Sequence, residues 1–338
     1  MMNYFTLGYG VFDPQAHIEA IKKFDVMIIG AEMLDKVAEI KEIHPTIKLI
    51  VYNSIISSHP NYSDWGEVET HEDWFLHDIN GERLQVGSWY AMDIANRQWR
   101  THLIQRCLSW IQNHDVDGIF TDNTWTFWRN KWSIFTVSDD LVADLPNWHN
   151  DMITFLSEFK TALGTKLLIP NTVDPQNYIG VCDGQFFELV FVRPLHDIPM
   201  EINLLKNASK NGKYFFCFPT MGSHVYEEFA FHCFLLGAES EKALFGIGKV
   251  TDGSNGFRDF MTVNTGRAIG SFYVEDGILK RTFEHVKVTV DIANMTSSLI
   301  MEETPYPSIG DNRFLLLLLI CVLMFAIVLI PSLPKLET

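Results

Sequence analysis

The chain has 338 residues, of which 47% are hydrophobic and 20% are charged, and its formal net charge is −16. This length and composition exclude a disordered chain and allow one large core or two modest ones. A strongly acidic chain without a basic cluster is a poor partner for nucleic acid. The five cysteines form no CxxC pair and the histidines show no ligand spacing, so we predict neither a metal site nor a cofactor.

Short apolar runs alternate with amphipathic stretches from the first residues onward. The first run, "YFTLGYG", precedes "DPQAHIEAIKKF", in which Asp13 is a candidate helix N-cap and Pro14 the first helical residue. The continuous apolar character of the short runs indicates parallel strands that are covered on both faces. The other runs are, in order, "DVMIIGA", "IKLIVYN", "DGIFTDN", "KLLIPNT", "GQFFELVF", "KYFFCFPT" and "ALFGIG".

Eight such strand–helix units predict an α/β fold, a (β/α)₈ TIM barrel over residues 1–272. An open doubly wound sheet is the alternative, but no completed dinucleotide-binding fingerprint supports it. Residues 273–300 then alternate at period two around Asp276-Gly277, which predicts a small β-hairpin or sheet appended to the barrel.

The C-terminal part of the chain predicts a membrane anchor. A Pro-containing linker at 301–313 leads into Phe314 to Ile330, a run without any charge. A run of this kind predicts a single-pass transmembrane helix, because a soluble core helix would show a polar stripe. With no basic region or cleavage signal after Met1, we expect a tail anchor and no secretory peptide. The flanking charges are too few to decide the side of the membrane.

Two carboxylates stand in otherwise apolar strands, at positions where a TIM barrel keeps its functional groups. Asp122 ends the fourth run and Glu188 lies in the sixth. Burying a carboxylate is costly unless it is paired, so an ion pair with Arg193 is one interpretation. The other is a pair of carboxylates across the barrel mouth, which is what hydrolysis of a glycosidic bond requires.

The neighbours of the two carboxylates suggest different roles for them. Apolar residues on both sides of Glu188 would raise its pKa and suit it to general acid catalysis, whereas Asn123 could hold Asp122 ionised by hydrogen bonding. Glu32 also follows a strand, the second one. The candidate sugar-binding residues at strand ends and in nearby loops are Tyr9, Tyr52, Asn53, Asp93, Asn123, Trp125, Trp128, Asn171 and Arg193.

Tryptophans crowd the predicted loops at the same end of the barrel. Indole faces stack on the C–H faces of sugar rings, so clustered loop tryptophans favour a carbohydrate substrate. Trp99 and Trp110, on the helix before the fourth strand, are expected in the core. The loop aromatics are Trp125, Trp128 and Trp132 after Asp122, and Trp65, Trp74, Trp89 and Tyr90 after the third strand.

Three segments resemble the hypothetical glycoside hydrolases of the TIM-barrel superfamily, in particular hypothetical glycosyl hydrolase family 15. They run from Trp74 to Gly81, from Met92 to Arg100 ("MDIANRQWR") and from Asp117 to Asn123 ("DGIFTDN"). The resemblance implies a retaining glycosidase with Asp122 as nucleophile and Glu188 as acid/base. For Asp93 it implies either a contact to a sugar hydroxyl or a cap for the helix near Arg97.

The leading functional hypothesis is therefore a membrane-anchored glycoside hydrolase that acts on an oligo- or polysaccharide. A catalytically inactive sugar-binding or scaffold barrel would keep the same aromatic cleft and is the first alternative. An aldolase- or isomerase-like barrel for phosphorylated metabolites is the second, and the lack of a Gly-rich phosphate site counts against it. The sequence leaves the sugar and the anomeric outcome open.

Overall fold

The computed structural model describes residues 2–78, 80–124, 147–172, 177–191, 197–219, 224–252 and 256–301. Its largest sheet has eight parallel strands, and each corresponds to one of the eight apolar runs of the sequence. The strands are β1 (Asn3–Gly8), β2 (Val26–Ile29), β3 (Lys48–Ser54), β4 (Gly118–Asp122), β5 (Leu167–Pro170), β6 (Gly184–Glu188), β7 (Tyr214–Phe218) and β8 (Ala243–Phe245).

The sheet curls into a nearly closed barrel, which confirms the predicted (β/α)₈ barrel. Its hydrogen-bonded order is β5-β4-β3-β2-β1-β8-β7-β6, so sequential strands are neighbours around the ring. The remaining gap lies between β5 and β6. There a single parallel bridge pairs Asn171 with Phe186, and the backbone N–H of Thr172 donates to the Phe186 carbonyl at 3.3 Å.

Alternation along the strands separates the barrel interior from the layer under the helices. Side chains of one parity fill the interior with large apolar groups, and those of the other parity pack beneath the helices. The interior is therefore a packed core and not a pore. The fully or nearly buried members of the interior cluster are Phe5, Leu7, Val26, Ile28, Ile50, Phe120, Ile169, Phe186, Phe216, Phe218 and Leu244.

Seven α-helices lie on the described part of the chain, and several begin at a polar cap. Asn96 accepts hydrogen bonds from the N–H groups of Gln98 and Trp99 at the start of α4. Asp13, as predicted, caps a short 3₁₀ helix, Pro14–His17. The helices are α1 (Ile18–Ile21), α2 (Val37–Ile43), α3 (Trp65–Val68), α4 (Arg97–Asn113), α5 (Trp148–Leu163), α6 (Ile198–Lys210) and α7 (His224–Gly237), and further 3₁₀ helices span Ala31–Lys36, Glu72–Trp74 and Asp259–Thr262.

The long connection between β3 and α4 folds into a small subdomain of its own. Three short antiparallel strands, Ser57–Ser58, Gln85–Val86 and Trp89–Ala91, form a separate sheet. Together with α3, this sheet fixes the connection that follows the carboxyl end of β3. Loops at that end of the strands are where a TIM barrel builds its site.

A four-stranded antiparallel sheet follows the barrel and docks on α7. It consists of β9 (Ala268–Glu275), β10 (Ile278–Phe283), β11 (Val286–Asp291) and β12 (Thr296–Met301), so it starts before the predicted boundary at 273. The side chain of Arg281 is fully buried, and its Nη1 donates to the carbonyls of Leu235, Leu236 and Ala238 at the end of α7. One charged side chain thereby satisfies carbonyls that the helix end leaves unpaired and joins the sheet to the barrel.

The predicted membrane anchor cannot be compared with the structure. Residues 302–313 of the linker and the apolar run 314–330 lie outside the described residues. Within the described ranges, no helix combines the length and the apolar character needed to cross a bilayer. The anchor stays a prediction from the sequence.

Candidate active site

Every second side chain of a barrel strand points inward, and this alternation brings five of the predicted polar residues together at the carboxyl ends of the strands. Continuing the inward-facing positions to the carboxyl ends of the strands leads to Tyr9 beyond β1, Tyr52 on β3, Asp122 on β4, Asn171 beyond β5 and Glu188 on β6. All five side chains line the same cavity of ≈ 710 Å³. Its size is typical of a small-ligand site, and its position is that of a TIM-barrel active site.

The cavity extends beyond the barrel mouth. It passes over the ends of β2 and β3 toward α4, where Tyr62, Arg106 and Trp110 contribute to its lining. Trp110 was predicted to be a core residue, and in the structure it packs partly against the core but also faces this cavity. On the described part of the chain, the aromatic residues of the lining are Tyr9, Tyr52 and Phe120 of the barrel, Tyr62 of the connection after β3 and Trp110 of α4.

Asp122 is held by four hydrogen bonds from neutral groups. Its Oδ1 accepts from the Asn123 backbone N–H at 2.8 Å and from Asn171 Nδ2 at 2.9 Å. Its Oδ2 accepts from the Tyr52 hydroxyl at 2.8 Å and from Asn123 Nδ2 at 3.3 Å. Donors on both oxygens fix the orientation of the carboxylate without neutralising it by a cation.

The backbone bends sharply after each of the two carboxylates. Asn123 has φ 59°, and Leu189 and Phe191, behind Glu188, have φ 58° and 63°. Left-handed backbone is uncommon for residues with bulky side chains and is concentrated at functional sites. The Leu189 N–H donates to the Phe218 carbonyl at 2.8 Å, and the Phe191 N–H donates to a carboxylate oxygen of Glu201 at 2.7 Å.

Glu188 stands at the exposed end of its strand. The four preceding residues of β6 are buried, whereas Glu188 itself is exposed to the cavity. The sequence placed it among apolar side chains, but Phe187 and Val190 pack in the outer cluster under the helices. The rise of the Glu188 pKa stays a prediction from the sequence. The carboxyl group lies where it can reach a ligand in the cavity.

The two tyrosines of the barrel mouth remain protonated hydrogen-bond donors. Burial raises the pKa of Tyr9 well above its usual range, and the charges of Asp122, Glu188 and Glu32 raise it further. Burial also raises the pKa of Tyr52, together with the charge of Asp122 and the hydrogen bond to it. The rings of Tyr9 and Tyr52 meet edge to face, with centroids 5.2 Å apart.

An ion-pair cluster contributes to the wall of the cavity. Asp64 Oδ2 accepts from His102 Nε2 and from Arg106 Nη1, both at 2.8 Å, and Arg106 Nη2 donates to Asn53 Oδ1 at 2.6 Å. Asn53, which was predicted to bind substrate, lines the cavity, and its side-chain oxygen accepts from Arg106. The sequence offered one signal for this cluster, because His102 and Arg106 are four residues apart and share a face of α4.

We expect Asp64→Asn to destabilise the fold by about 2 kcal/mol at neutral pH. Burial alone would raise the pKa of Asp64, but the hydrogen bonds and charges of His102 and Arg106 outweigh it and lower the pKa from 3.8 to about 2. A lowered folded-state pKa stabilises the protein above pH 3.8, and that stabilisation is lost as the pH falls through 2. Urea unfolding at several pH values should show the two proteins converging in acid. An unchanged gap at the lowest pH would contradict the ion-pair assignment.

Other predicted residues either lie outside this cavity or fall outside the described residues. Asp93 does not line the cavity, and its Oδ1 accepts the Ala95 N–H at 2.9 Å in the turn before α4, whose cap is Asn96. Trp74 is buried and stacks on His71 with ring centroids 4.0 Å apart. None of the four predicted platform aromatics after β3, which are Trp65, Trp74, Trp89 and Tyr90, lines the cavity. Trp125, Trp128, Trp132 and Arg193 lie outside the described residues.

One acidic residue that lines the cavity, Glu32, was not among the predicted catalytic or sugar-binding residues. Glu32 follows β2 in the Ala31–Lys36 helix and lines the cavity together with Gly30 and Ala31. Its Oε1 accepts the N–H of Gly10 at 2.8 Å. The sequence did identify Glu32 as a strand-end residue, but its neighbours gave no reason to choose it over an ordinary surface glutamate.

Solved structures of low sequence identity share the fold. The glycoside hydrolase domain of PelA from Pseudomonas aeruginosa matches with a TM-score of 0.52 and 15% identity, covering 73% of this chain and 94% of that chain. The noncanonic maltogenic α-amylase AmyB from Thermotoga neapolitana matches with a TM-score of 0.54 and 12% identity, covering 85% and 86%. Ega3 from Aspergillus fumigatus, solved in complex with galactosamine, matches with a TM-score of 0.50 and 14% identity, covering 73% and 90%. No curated protein sequence matches significantly.

The family comparison agrees with the resemblance that the three sequence segments indicated. The profile of hypothetical glycosyl hydrolase family 15 matches residues 41–287, which is more than half of the 338 residues. The matched range includes Tyr52, Asp122, Asn171 and Glu188. The chain therefore belongs to hypothetical glycosyl hydrolase family 15 and is an enzyme of the glycoside hydrolase class.

Proposed function

We propose that this protein hydrolyses an O-glycosidic bond of an oligo- or polysaccharide, with Asp122 and Glu188 as its two catalytic carboxylates. The observation that carries the proposal is that both line one cavity at the carboxyl end of the barrel, on β4 and β6. Family membership and the glycoside hydrolases among the structural neighbours support the same reaction class. Of those neighbours, Ega3 was solved with an amino sugar.

The arrangement suggests a distinct task for each carboxylate. Asp122, fixed by four donors, attacks the anomeric carbon, while Glu188 donates a proton to the departing glycosidic oxygen. Glu188, now a carboxylate, then takes a proton from water as the water oxygen attacks the anomeric carbon and releases Asp122. The hydroxyl of Tyr9 and the second N–H of the Asn171 amide face the same space and can donate to sugar oxygens, whereas the Tyr52 hydroxyl, which donates to Asp122, can accept from a sugar hydroxyl.

The proposal is tested by the stereochemistry of the product and by a substrate panel. The full-length protein is incubated with aryl glycosides and polysaccharides, and the first anomer formed is followed by NMR. Retention is expected if the carboxyl groups act as nucleophile and acid/base about 5–5.5 Å apart, whereas inversion corresponds to about 6.5–9.5 Å. Binding of sugars without turnover of any of them would instead favour the inactive sugar-binding barrel.

A further inference from the structure

We propose that Glu32 makes the cavity selective for a positively charged amino sugar, so that the substrate class is glycosides of hexosamines with a free amino group. This inference rests on the proposed function, since it names the substrate of the same site. It concerns an acidic residue that neither the nucleophilic nor the acid/base step requires.

The carboxylate of Glu32 occupies the barrel mouth at the position of a missing side chain. Gly30 follows Ile28 at the inward parity of β2, and a Cβ added to Gly30 would clash with both Glu32 carboxylate oxygens. Any residue other than glycine at position 30 would therefore displace this carboxylate. The chain brings Glu32 back over the end of β2, where it lines the same cavity as Asp122 and Glu188.

Two carboxylates of the cavity, those of Glu32 and Asp122, pair with no lysine or arginine on the described part of the chain. The acidic residues of the cavity are Glu32, Asp64, Asp122 and Glu188, and its only lysine or arginine on the described part of the chain is Arg106. Arg106 pairs with Asp64 at 2.8 Å, so it does not neutralise Glu32 or Asp122. No cation pairs with Glu32 among the described residues, where its carboxylate accepts the Gly10 N–H.

A ligand with an ammonium group is the occupant that this arrangement favours. An ammonium group gains from every carboxylate in a partly enclosed site, whereas a neutral sugar gains only hydrogen bonds and an anionic uronic acid is repelled. The charges of Asp122, Glu188 and Glu32 all contribute to the raised pKa of the Tyr9 hydroxyl, so the three carboxylates lie near the same group. Glu32 thus stands close to the reacting carboxylates and within reach of the sugar bound between them.

The hydrogen bond from Gly10 means that Glu32 could have a purely structural role. The variant Glu32→Gln separates this role from recognition of a positively charged sugar. Glutamine keeps the oxygen that accepts the Gly10 N–H but removes the negative charge. Asp35→Asn is the matched control. Asp35 lies on the same 3₁₀ helix, is exposed and does not line the cavity, so its substitution removes an equal charge outside the site.

The experiment compares deacetylated with fully N-acetylated oligomers of glucosamine and of galactosamine, using the full-length protein at about pH 6, where the amine is protonated. The wild type should prefer a deacetylated oligomer, and Glu32→Gln should lower kcat/KM for it by about tenfold or more while changing that for the acetylated oligomer by less than about twofold. Asp35→Asn should resemble the wild type. Added salt should weaken only the preference that depends on Glu32.

Binding is measured separately by calorimetry in the Asp122→Asn background, so that recognition does not depend on turnover. Tighter binding of deacetylated oligomers that Glu32→Gln abolishes supports the inference even if no oligomer is hydrolysed, in which case the proposed hydrolysis fails alone. Hydrolysis or binding that is equal for both oligomers, or a preference that survives Glu32→Gln, overturns the inference and leaves the hydrolase proposal in place. Binding of neither deacetylated oligomer overturns it as well.

Discussion

Asp122→Asn should lower kcat by roughly 10⁴-fold while the protein still folds and binds sugar, because an amide oxygen cannot attack the anomeric carbon as a carboxylate does. The cost in stability should be small. Asp122 accepts four hydrogen bonds from neutral donors and is paired with no lysine or arginine of the described chain. Asparagine loses one or two of these bonds at about 1 kcal/mol each.

A structural role for Asp122 predicts the opposite pattern. Breaking a buried ion pair would cost roughly 3–5 kcal/mol and have no specific effect on the chemical step. Melting curves recorded beside turnover distinguish the two. Asp122→Ala with azide adds a chemical readout, since azide can attack the anomeric carbon of an activated aryl glycoside from the vacated side and give a glycosyl azide. Wild-type turnover by the asparagine variant would rule out Asp122 as the nucleophile.

Glu188→Gln should slow substrates with poor leaving groups by roughly 10²–10⁴-fold, because those need a proton on the departing oxygen. Aryl glycosides with acidic phenols leave without that proton and should be affected far less in the first step. The decline of activity at alkaline pH should also disappear, since in the wild type it reports deprotonation of the acid. Activity is measured against a series of phenols of graded acidity over the full pH range.

The control for Glu188→Gln is Asp35→Asn, a substitution of an acidic residue outside the cavity. It should keep the wild-type dependence on the leaving group and on pH. An equal loss on all leaving groups would mean that Glu188 only binds the sugar. Loss of stability without a change in the leaving-group dependence would mean that its role is to hold the strained turn at Leu189 and Phe191.

The positions of two tryptophans show that the residues around a side chain in sequence do not determine whether it lines the site. Trp110 was predicted for the core and lines the cavity, whereas Trp74 was predicted for a sugar platform and lies buried on His71. Each tryptophan has the same local character of an aromatic among polar residues. Whether a tryptophan faces solvent, the core or a ligand depends on which element packs over it. For these two tryptophans, that element is the subdomain after β3.

The sequence by itself determined the barrel and its principal carboxylates. Short continuous apolar runs that alternate with amphipathic stretches indicate strands covered on both faces, and a side-chain period of two fixes which residues continue the inward row. Asp122 and Glu188 could therefore be placed at the carboxyl ends of their strands from the pattern of residues alone. Asn123 could likewise be placed beside Asp122, because adjacent residues need no tertiary information to be neighbours.

Only the tertiary structure decided what surrounds these carboxylates. Glu32 reaches the mouth because Gly30 leaves room for it, and Asp64 meets Arg106 because the connection after β3 folds back onto α4. These contacts join segments that are distant in sequence or depend on the path of a loop. The hydrophobic period and the composition of a segment indicate which of its side chains face water and which face the core. They do not indicate which charged residue of a distant segment it contacts. The charge balance of the cavity, and with it the choice of ligand, is therefore a property of the folded chain.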